Sequence, residues 1–237
     1  MVNENDNKEK EVNYARIDVS RLNWKTYLWQ LTSTFLIVLP VTRLFYKITI
    51  KGRKNVPKRR IIVAPNHISY FDPHLSFTAV PRPMTFMAKK ELFETKMRDA
   101  ILSLGAFSVN REKLEIATIR SVKDIFKTKN WNLCIFPQGG IRKDRKIHDI
   151  KGGFVAIAKM AKSDILPVGI TGTEELKWDI FHRGHIRVNI GTPISWELSE
   201  QEIIDQWCAQ VSKLTGYENA NHIEETAEQP EQPVETK

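Results

Sequence analysis

Residues 59–73, with the sequence RRIIVAPNHISYFDP, combine a strand signal with a turn that carries ionisable side chains. Residues 61–63 are β-branched, and a short run of this kind bounded by proline is typical of a buried strand. The run leads directly into His67 and Asp72. Because ligands of α/β sheets bind at the carboxyl ends of the strands, this turn is the first place to expect a functional site.

The same alternation continues along the chain. Short β-branched runs are separated by helix-like segments: YKITIKG, RRIIVAP, TFMA, WNLCIF, ILPVGIT and HIRVNIG. This pattern favours an α/β fold in which a mixed, largely parallel central sheet is flanked by helices. The last helix is predicted to begin at a capping box formed by Ser199 and Glu202 and to end before Gly216.

His67 and Asp72 are five positions apart, which would separate them by about 140° on an ideal helix, so a turn must bring them together. A carboxylate bonded to one ring nitrogen fixes the histidine tautomer and leaves the other nitrogen to accept a proton. Asp72 before Pro73 is equally typical of an ordinary helix N-cap, and this structural interpretation stays open. His74 is a competing histidine, interpreted as a surface or packing residue. A zinc site is disfavoured because no third ligand cluster stands at metal spacing.

Three later segments add glycines and cations: residues 105–111 (GAFSVNR), 136–142 (FPQGGIR) and 165–171 (ILPVGIT). The glycines of the second segment permit close backbone approach, so amide N–H groups there could face an anion or a developing oxyanion. Each segment alone is also compatible with a plain turn.

Together with the turn at residues 67–72, these three segments resemble, in the same order, the four blocks of the glycerophospholipid acyltransferase family. The resemblance covers a stretch from about Ile50 to Thr173. Residues 67–72 resemble its H-x4-D block. Residues 105–111 are similar to G-x-x-x-[IV]-x-R, residues 136–139 to F-P-E-G and residues 166–168 to the proline-containing fourth block. Residues 86–93, FMAKKELF, resemble the A-K-x-E-L stretch between the first two blocks.

The resemblance implies direct transfer of a fatty acyl group from an acyl-carrier-protein or coenzyme A thioester, with no other cofactor. The acceptor would be the free hydroxyl of 1-acyl-glycerol-3-phosphate, and the product phosphatidic acid. His67 would be the general base and Asp72 would orient it. Arg111, with Lys89 as a weaker candidate, would hold the acceptor phosphate. No acyl-enzyme is expected, since the chain has no G-x-S-x-G elbow.

The third block departs from the family pattern. The family's glutamate is Gln138 here, and Gly139 is followed by Gly140 and Ile141, so that the arginine is displaced by one place to Arg142. Gln138, Gly139, Gly140 and Arg142 are still predicted to contribute to substrate binding. The departure leaves open an acceptor with a different headgroup, or a membrane-binding homologue without activity.

Residues 26–42, TYLWQLTSTFLIVLPVT, are uncharged, and aromatic and cationic residues lie at both ends. This arrangement favours a segment at the lipid–water interface, although packing on the soluble core is the alternative. Pro40 is expected to break the segment. The stretch falls at the lower limit for a bilayer span. The predicted location is therefore the cytoplasmic face of the cell membrane, with peripheral or monotopic attachment.

The chain has 237 residues and a net charge of +8, which divides into −5 after Tyr217 and +13 before it. A basic body predicts an anionic partner, and charge alone does not choose between nucleic acid, an anionic membrane surface and phosphorylated substrates. Nucleic acid is disfavoured because no recognised binding motif is present. Two cysteines and a polar N-terminus predict a reducing compartment and no secretory signal. The predicted organisation is a polar tail (1–19), a membrane-associating helical segment (20–47), an acyltransferase domain (48–217) and an acidic disordered tail (218–237).

Overall fold

The computed structural model describes residues 16–109, 115–128, 130–175, 177 and 179–221. The strands are β1 Tyr46–Lys51, β2 Ile62–Pro65, β3 Met84–Lys89, β4 Ala106–Val109, β5 Asn132–Cys134, β6 Lys146–Ile147, β7 Ile165–Thr171, β8 Gly184–Ile190 and β9 Glu218–Asn219. The α-helices are α1 Trp24–Thr32, α2 Leu39–Phe45, α3 Asp72–Ala79, α4 Arg98–Ser103, α5 Ile116–Lys127, α6 Gly153–Ala161 and α7 Glu200–Thr215. Short 3₁₀ turns span Val19–Arg21, Arg53–Asn55 and Lys90–Glu94.

Seven strands form one sheet in the order β1-β8-β7-β2-β5-β3-β4. Neighbouring strands are parallel except for β7 and β8, which are antiparallel. The predicted mixed, largely parallel sheet flanked by helices is therefore confirmed. Because β1 and β8 run opposite to the other five strands, both begin at the edge where β2 and β7 end.

The centre of the sheet is apolar on both faces, as expected for parallel strands covered by helices. Every residue of β2 and β7 is buried. Helix α7 begins at the predicted Ser199–Glu202 capping box. It packs on the sheet, and the indole N–H of its Trp207 donates to the carbonyl of Ala64 at 2.9 Å. Gly169 lets this helix approach closely, because a Cβ there would stand 2.6 Å from the Cβ of Leu214.

The N-terminal helix runs from Trp24 to Phe45, with a π-helical section, Ser33–Val38, between α1 and α2. By length and composition it could cross a membrane. Pro40 does not break it, contrary to the prediction. The wider π-helical turn just before Pro40 shifts the hydrogen bonds, as in the bond from the Leu39 N–H to the Thr34 carbonyl, and so accommodates the missing donor.

The side of this helix that faces the protein combines apolar residues, such as the buried Leu39, with several buried polar residues. Gln30 is buried, and its side-chain nitrogen donates to the carbonyls of Met84, at 2.5 Å, and Leu104, at 2.8 Å. Ser33, Thr34 and Thr42 are also buried. Apolar side chains are left on the outer side.

Both predicted tails meet ordered structure at their inner ends. Residues 1–15 lie outside the described residues, but Ile17 is buried and its N–H donates to Ser121 Oγ at 2.9 Å. At the other end, β9 pairs with β6, so Glu218 and Asn219 belong to the folded body. Residues 222–237 lie outside the described residues.

Candidate active site

The turn between β2 and α3 brings His67 and Asp72 into contact. His67 Nδ1 and Asp72 Oδ2 are 2.8 Å apart. The same carboxylate oxygen accepts the backbone N–H groups of Ile68, at 2.7 Å, and Ser69, at 2.8 Å. The carboxylate therefore closes the turn in front of its helix, whereas the alternative interpretation as an ordinary N-cap would direct it to N–H groups of α3. Pro73 follows in the first turn of α3, where its fixed φ is compatible with the helix.

The hydrogen bond fixes the state of the imidazole. A carboxylate offers only acceptors, so in the neutral imidazole Nδ1 carries the proton and Nε2 keeps its lone pair. Asp72 is completely buried, and the side chain of His67 is 10% exposed. The imidazole stacks on the ring of Phe136, with centroids 4.0 Å apart. Among the described residues no side chain bonds Nε2, which is therefore available to a substrate.

Asn66 holds this turn against β7. Its side-chain nitrogen donates to the carbonyl of Ile170 at 2.9 Å, and its oxygen accepts the N–H of the same residue at 2.7 Å. Thr173, just beyond β7, donates from its hydroxyl to the second carboxylate oxygen of Asp72 at 3.4 Å. Sequence reasoning assigned no role to Thr173, because nothing in the sequence indicates that β7 lies beside β2.

Gln138 is buried and does not line the cavity next to His67. Its side-chain oxygen accepts the backbone N–H of His67 at 3.2 Å, and its nitrogen donates to the carbonyl of Lys146 at 3.3 Å. Gly139 has a φ of +64° and donates its N–H to the carbonyl of Phe136, so this amide closes the turn and is not free for an anion. Gly140 follows in the same turn, half-buried.

The three cations predicted to bind the phosphate do not share one location in the described structure. Arg142 lies at the site, since its backbone N–H donates to the carbonyl of His67 at 2.7 Å. Its Nη2 pairs with Asp149 at 3.1 Å, and its buried Nε has no partner among the described residues. Lys89 lines the cavity and pairs with Glu91 at 2.9 Å. Arg111 lies outside the described residues.

An apolar cavity of about 350 Å³ opens beside His67. Its walls come from the start of α3, from β3 and from α4, and include Phe86, Leu92, Ile101 and Leu104. His74 lines it as well, and burial lowers the pKa of this imidazole. Its Nδ1 lies 3.0 Å from Thr34 Oγ1 on the N-terminal helix, which fits the predicted packing role.

A larger cavity, about 760 Å³, lies at the opposite end of the sheet, next to the residues that precede β2, β3 and β5. Cations line it, and its arginines are engaged in contacts within the protein. Arg59 pairs with Asp164, and Arg82 donates to the carbonyl of Pro57 at 2.6 Å. These contacts give the arginines a structural role, and we place the functional site at His67.

The described residues contain no group of three or more His, Cys, Asp or Glu side chains arranged to hold a metal ion. Cys134 and Cys208 are both buried. Burial raises the pKa of the Cys208 thiol to about 12 and raises that of Cys134 still further. Neither thiol has the character of a nucleophile.

Comparison with known proteins places the site in a family. The family model described as Acyltransferase matches residues 47–171. A 1-acyl-sn-glycerol-3-phosphate acyltransferase of Streptococcus pneumoniae is 37% identical over 142 residues, which cover 59% of this chain and 52% of that protein. One from Bacillus subtilis is 29% identical over 152 residues, covering 62% and 73%. The chain thus spans about half the length of the Streptococcus protein.

The fold has a solved counterpart. The crystal structure of the 1-acyl-sn-glycerophosphate acyltransferase from Thermotoga maritima superimposes with a TM-score of 0.57 at 23% identity, covering 78% of this chain and 85% of that one. The shared architecture agrees with the family match, which covers more than half of the chain and includes both His67 and Asp72. The chain belongs to the Acyltransferase family.

Proposed function

We propose that the protein transfers a fatty acyl group from an acyl-carrier-protein or coenzyme A thioester to the free hydroxyl of 1-acyl-glycerol-3-phosphate, giving phosphatidic acid. The observation that carries the proposal is the 2.8 Å contact between His67 Nδ1 and Asp72 Oδ2 at the mouth of an apolar cavity. The names of the Streptococcus and Bacillus relatives support the choice of acceptor.

The reaction needs one base and no covalent intermediate. His67 Nε2 takes the proton from the acceptor hydroxyl as the hydroxyl oxygen attacks the thioester carbonyl carbon. The new C–O bond forms, the C–S bond then breaks, and the leaving thiolate takes the proton back from the imidazolium. Asp72 orients the ring and stabilises its transient positive charge.

The apolar cavity is suited to the fatty chain of the donor. Aliphatic and aromatic side chains form most of its wall, and an alkyl chain gains about 0.8 kcal/mol for each methylene that leaves water. The imidazole lies at the cavity wall, so a chain bound inside would present its thioester carbonyl to Nε2.

The acceptor phosphate is assigned to arginine. The Nε of Arg142 lacks a partner among the described residues, and the backbone N–H of the same residue bonds to the carbonyl of His67. A planar guanidinium binds phosphate through two parallel hydrogen bonds. We assign Arg142 to the phosphate together with Arg111, and Lys89 to the rim of the same site.

The N-terminal helix is assigned to the membrane. Its outer side carries exposed apolar residues, including Leu36 at 72% and Leu44 at 61% exposure, while its polar residues face the protein. A helix packed on a soluble core carries polar residues on its outer side, whereas the outer side here is largely apolar, as in a helix whose outer side is in lipid. With the basic body, it favours peripheral or monotopic attachment to an anionic surface on the cytoplasmic face.

The test is an assay of the purified full chain in vesicles that contain lysophosphatidic acid or another lysolipid. Each lysolipid is offered with an acyl-carrier-protein thioester and with a coenzyme A thioester. We expect phosphatidic acid from lysophosphatidic acid, and Arg142→Ala should mainly raise the KM for this acceptor. If only lysolipids that lack a phosphate monoester were acylated, the proposed acceptor, 1-acyl-glycerol-3-phosphate, would be wrong. No acylation with any pair would overturn the proposal.

A further inference from the structure

The segment between β7 and β8 carries two neighbouring exposed apolar side chains. Phe181 is 85% exposed and Ile180 is 55% exposed. Single exposed apolar residues are common on soluble proteins and need no explanation. What distinguishes this pair is how the loop is held and what lies next to it.

The tip of the loop is fixed by one carboxylate. Asp179 Oδ1 accepts the backbone N–H of Phe181 at 2.8 Å and that of His182 at 3.2 Å, and its other oxygen lies 2.8 Å from the His182 ring nitrogen. The tip is therefore formed before any partner binds, which reduces the entropy lost when Phe181 is buried.

The base of the loop is joined to the end of the N-terminal helix. Arg183 donates from Nη2 to the carbonyls of Arg43 and Tyr46, the latter at 3.3 Å. The Tyr46 hydroxyl donates to the carbonyl of Lys177 at 2.8 Å. These bonds place the tip beside the last turn of the helix, where Leu44 is exposed.

The surroundings combine apolar tips with positive charge. Arg43, Lys47, Lys177 and Arg183 are all exposed around the junction of loop and helix. Aromatic and aliphatic side chains surrounded by Lys and Arg are suited to the interface of an anionic bilayer, where the rings enter the acyl boundary and the cations contact the headgroups. An acidic protein partner would account for the cations, but it would not account for the exposed apolar side chains that extend from the helix to the loop.

We propose that the loop of residues 179–183 is a second membrane-contact element, which inserts Ile180 and Phe181 into an anionic bilayer beside the N-terminal helix. The inference rests on the membrane attachment in the proposed function and adds a second point of contact. Two separate contacts fix the orientation of a body on a surface, whereas one helix leaves rotation about its axis free.

The orientation matters because the loop belongs to the edge of the sheet that carries the site. The segment begins just after β7, where Thr173 bonds to Asp72, and it ends at the start of β8. Insertion of the tip therefore brings the edge that carries His67 to the lipid surface, where the acceptor and the product reside.

The test uses an environment-sensitive fluorophore on single introduced cysteines of the full chain. Cys134 and Cys208 are buried and carry raised thiol pKa values, so the label goes to the new position. Phe181→Cys and Leu44→Cys are labelled, with Ile116→Cys on α5 as a matched exposed control, since Ile116 is 68% exposed. Vesicles of phosphatidylglycerol and phosphatidylcholine are then added.

We expect a blue shift and an intensity rise at positions 181 and 44, and no change at 116. A shift at 44 without one at 181 would overturn this inference alone, whereas no shift at either position would overturn the membrane attachment as well. A shift at 181 that depends on protein concentration without vesicles would assign the loop to a second copy and overturn the inference. In flotation, Phe181→Ser should weaken vesicle binding by about 10-fold to 100-fold, and Ile116→Ser should not.

Discussion

Replacing Asp72 by asparagine tests the role of the carboxylate with little change in shape. An asparagine oxygen can occupy the position of Oδ2 and still accept the N–H groups of Ile68 and Ser69. The variant is therefore expected to fold. It loses the negative charge that stabilises the imidazolium in the transition state, while the oxygen at the Oδ2 position still accepts from His67 Nδ1.

The size of the effect follows from the geometry. An Nδ1–Oδ2 distance of 2.8 Å places the centres of charge of the two groups about 4 Å apart. A unit charge pair at that separation is worth ~4 kcal/mol at an effective dielectric constant of about 20. Because each ~1.4 kcal/mol corresponds to a factor of ten, kcat should fall by about 10³-fold. The KM values should change little, since Asp72 is completely buried and does not line the cavity.

The assay is steady-state formation of phosphatidic acid from lysophosphatidic acid and an acyl thioester, with vesicle binding and thermal unfolding measured on the same preparations. Asp164→Asn is a matched control, because Asp164 is also a buried carboxylate with a basic partner, here Arg59, but lies at the opposite end of the sheet. A kcat for Asp72→Asn within about 10-fold of the wild type would refute the reasoning. So would an equal loss in Asp164→Asn.

Three further outcomes are expected. Cys208 should resist a thiol reagent at pH 8 in the folded protein and react on unfolding, because its pKa of about 12 leaves almost no thiolate; rapid labelling of the native protein would contradict this. Ser199→Ala removes one side of the capping box of α7 and should lower the free energy of unfolding by about 1 kcal/mol, measured by denaturant titration, whereas an unchanged midpoint would count against it. Ala106→Phe places a ring in the apolar cavity and should reduce activity with long-chain donors more than with short-chain donors; equal losses would move the acyl chain elsewhere.

The order of strands and helices could be predicted from the sequence because their signals are local. The β-branched runs correspond to strands, and the Ser199–Glu202 box begins a helix as expected. The direction of β8 could not be predicted from local signals. It is fixed by long-range pairing with β7 and β1, and no local pattern around Gly184 indicates it.

The N-terminal helix shows where local rules fail. Pro40 predicts a break, yet the π-helical section before it absorbs the missing donor. Gln30, Thr34 and Thr42 count against membrane contact when hydropathy is summed along the sequence. In the structure they face the protein, so the apolar outer side is more continuous than the sequence suggests.

In the candidate site, too, the local features could be predicted from the sequence and the long-range contacts could not. His67 and Asp72 could be identified from one short segment because the turn between them is local. Gln138 could not be placed, since its contacts are with the backbone of His67 and Lys146. Its neutral amide can accept at one end and donate at the other, which a carboxylate cannot do. In this position the glutamine therefore supports the turn that carries His67, and its presence does not argue against the proposed activity.

The most direct test of the central claim is the single-turnover rate of phosphatidic acid formation by His67→Gln. Purified protein, lysophosphatidic acid in anionic vesicles and a saturating acyl thioester are combined, and product is followed alongside vesicle flotation of the same sample. The general-base role predicts a rate about 10²-fold to 10⁴-fold below the wild type with unchanged flotation. A variant that binds the vesicles and forms phosphatidic acid at the wild-type rate would contradict it.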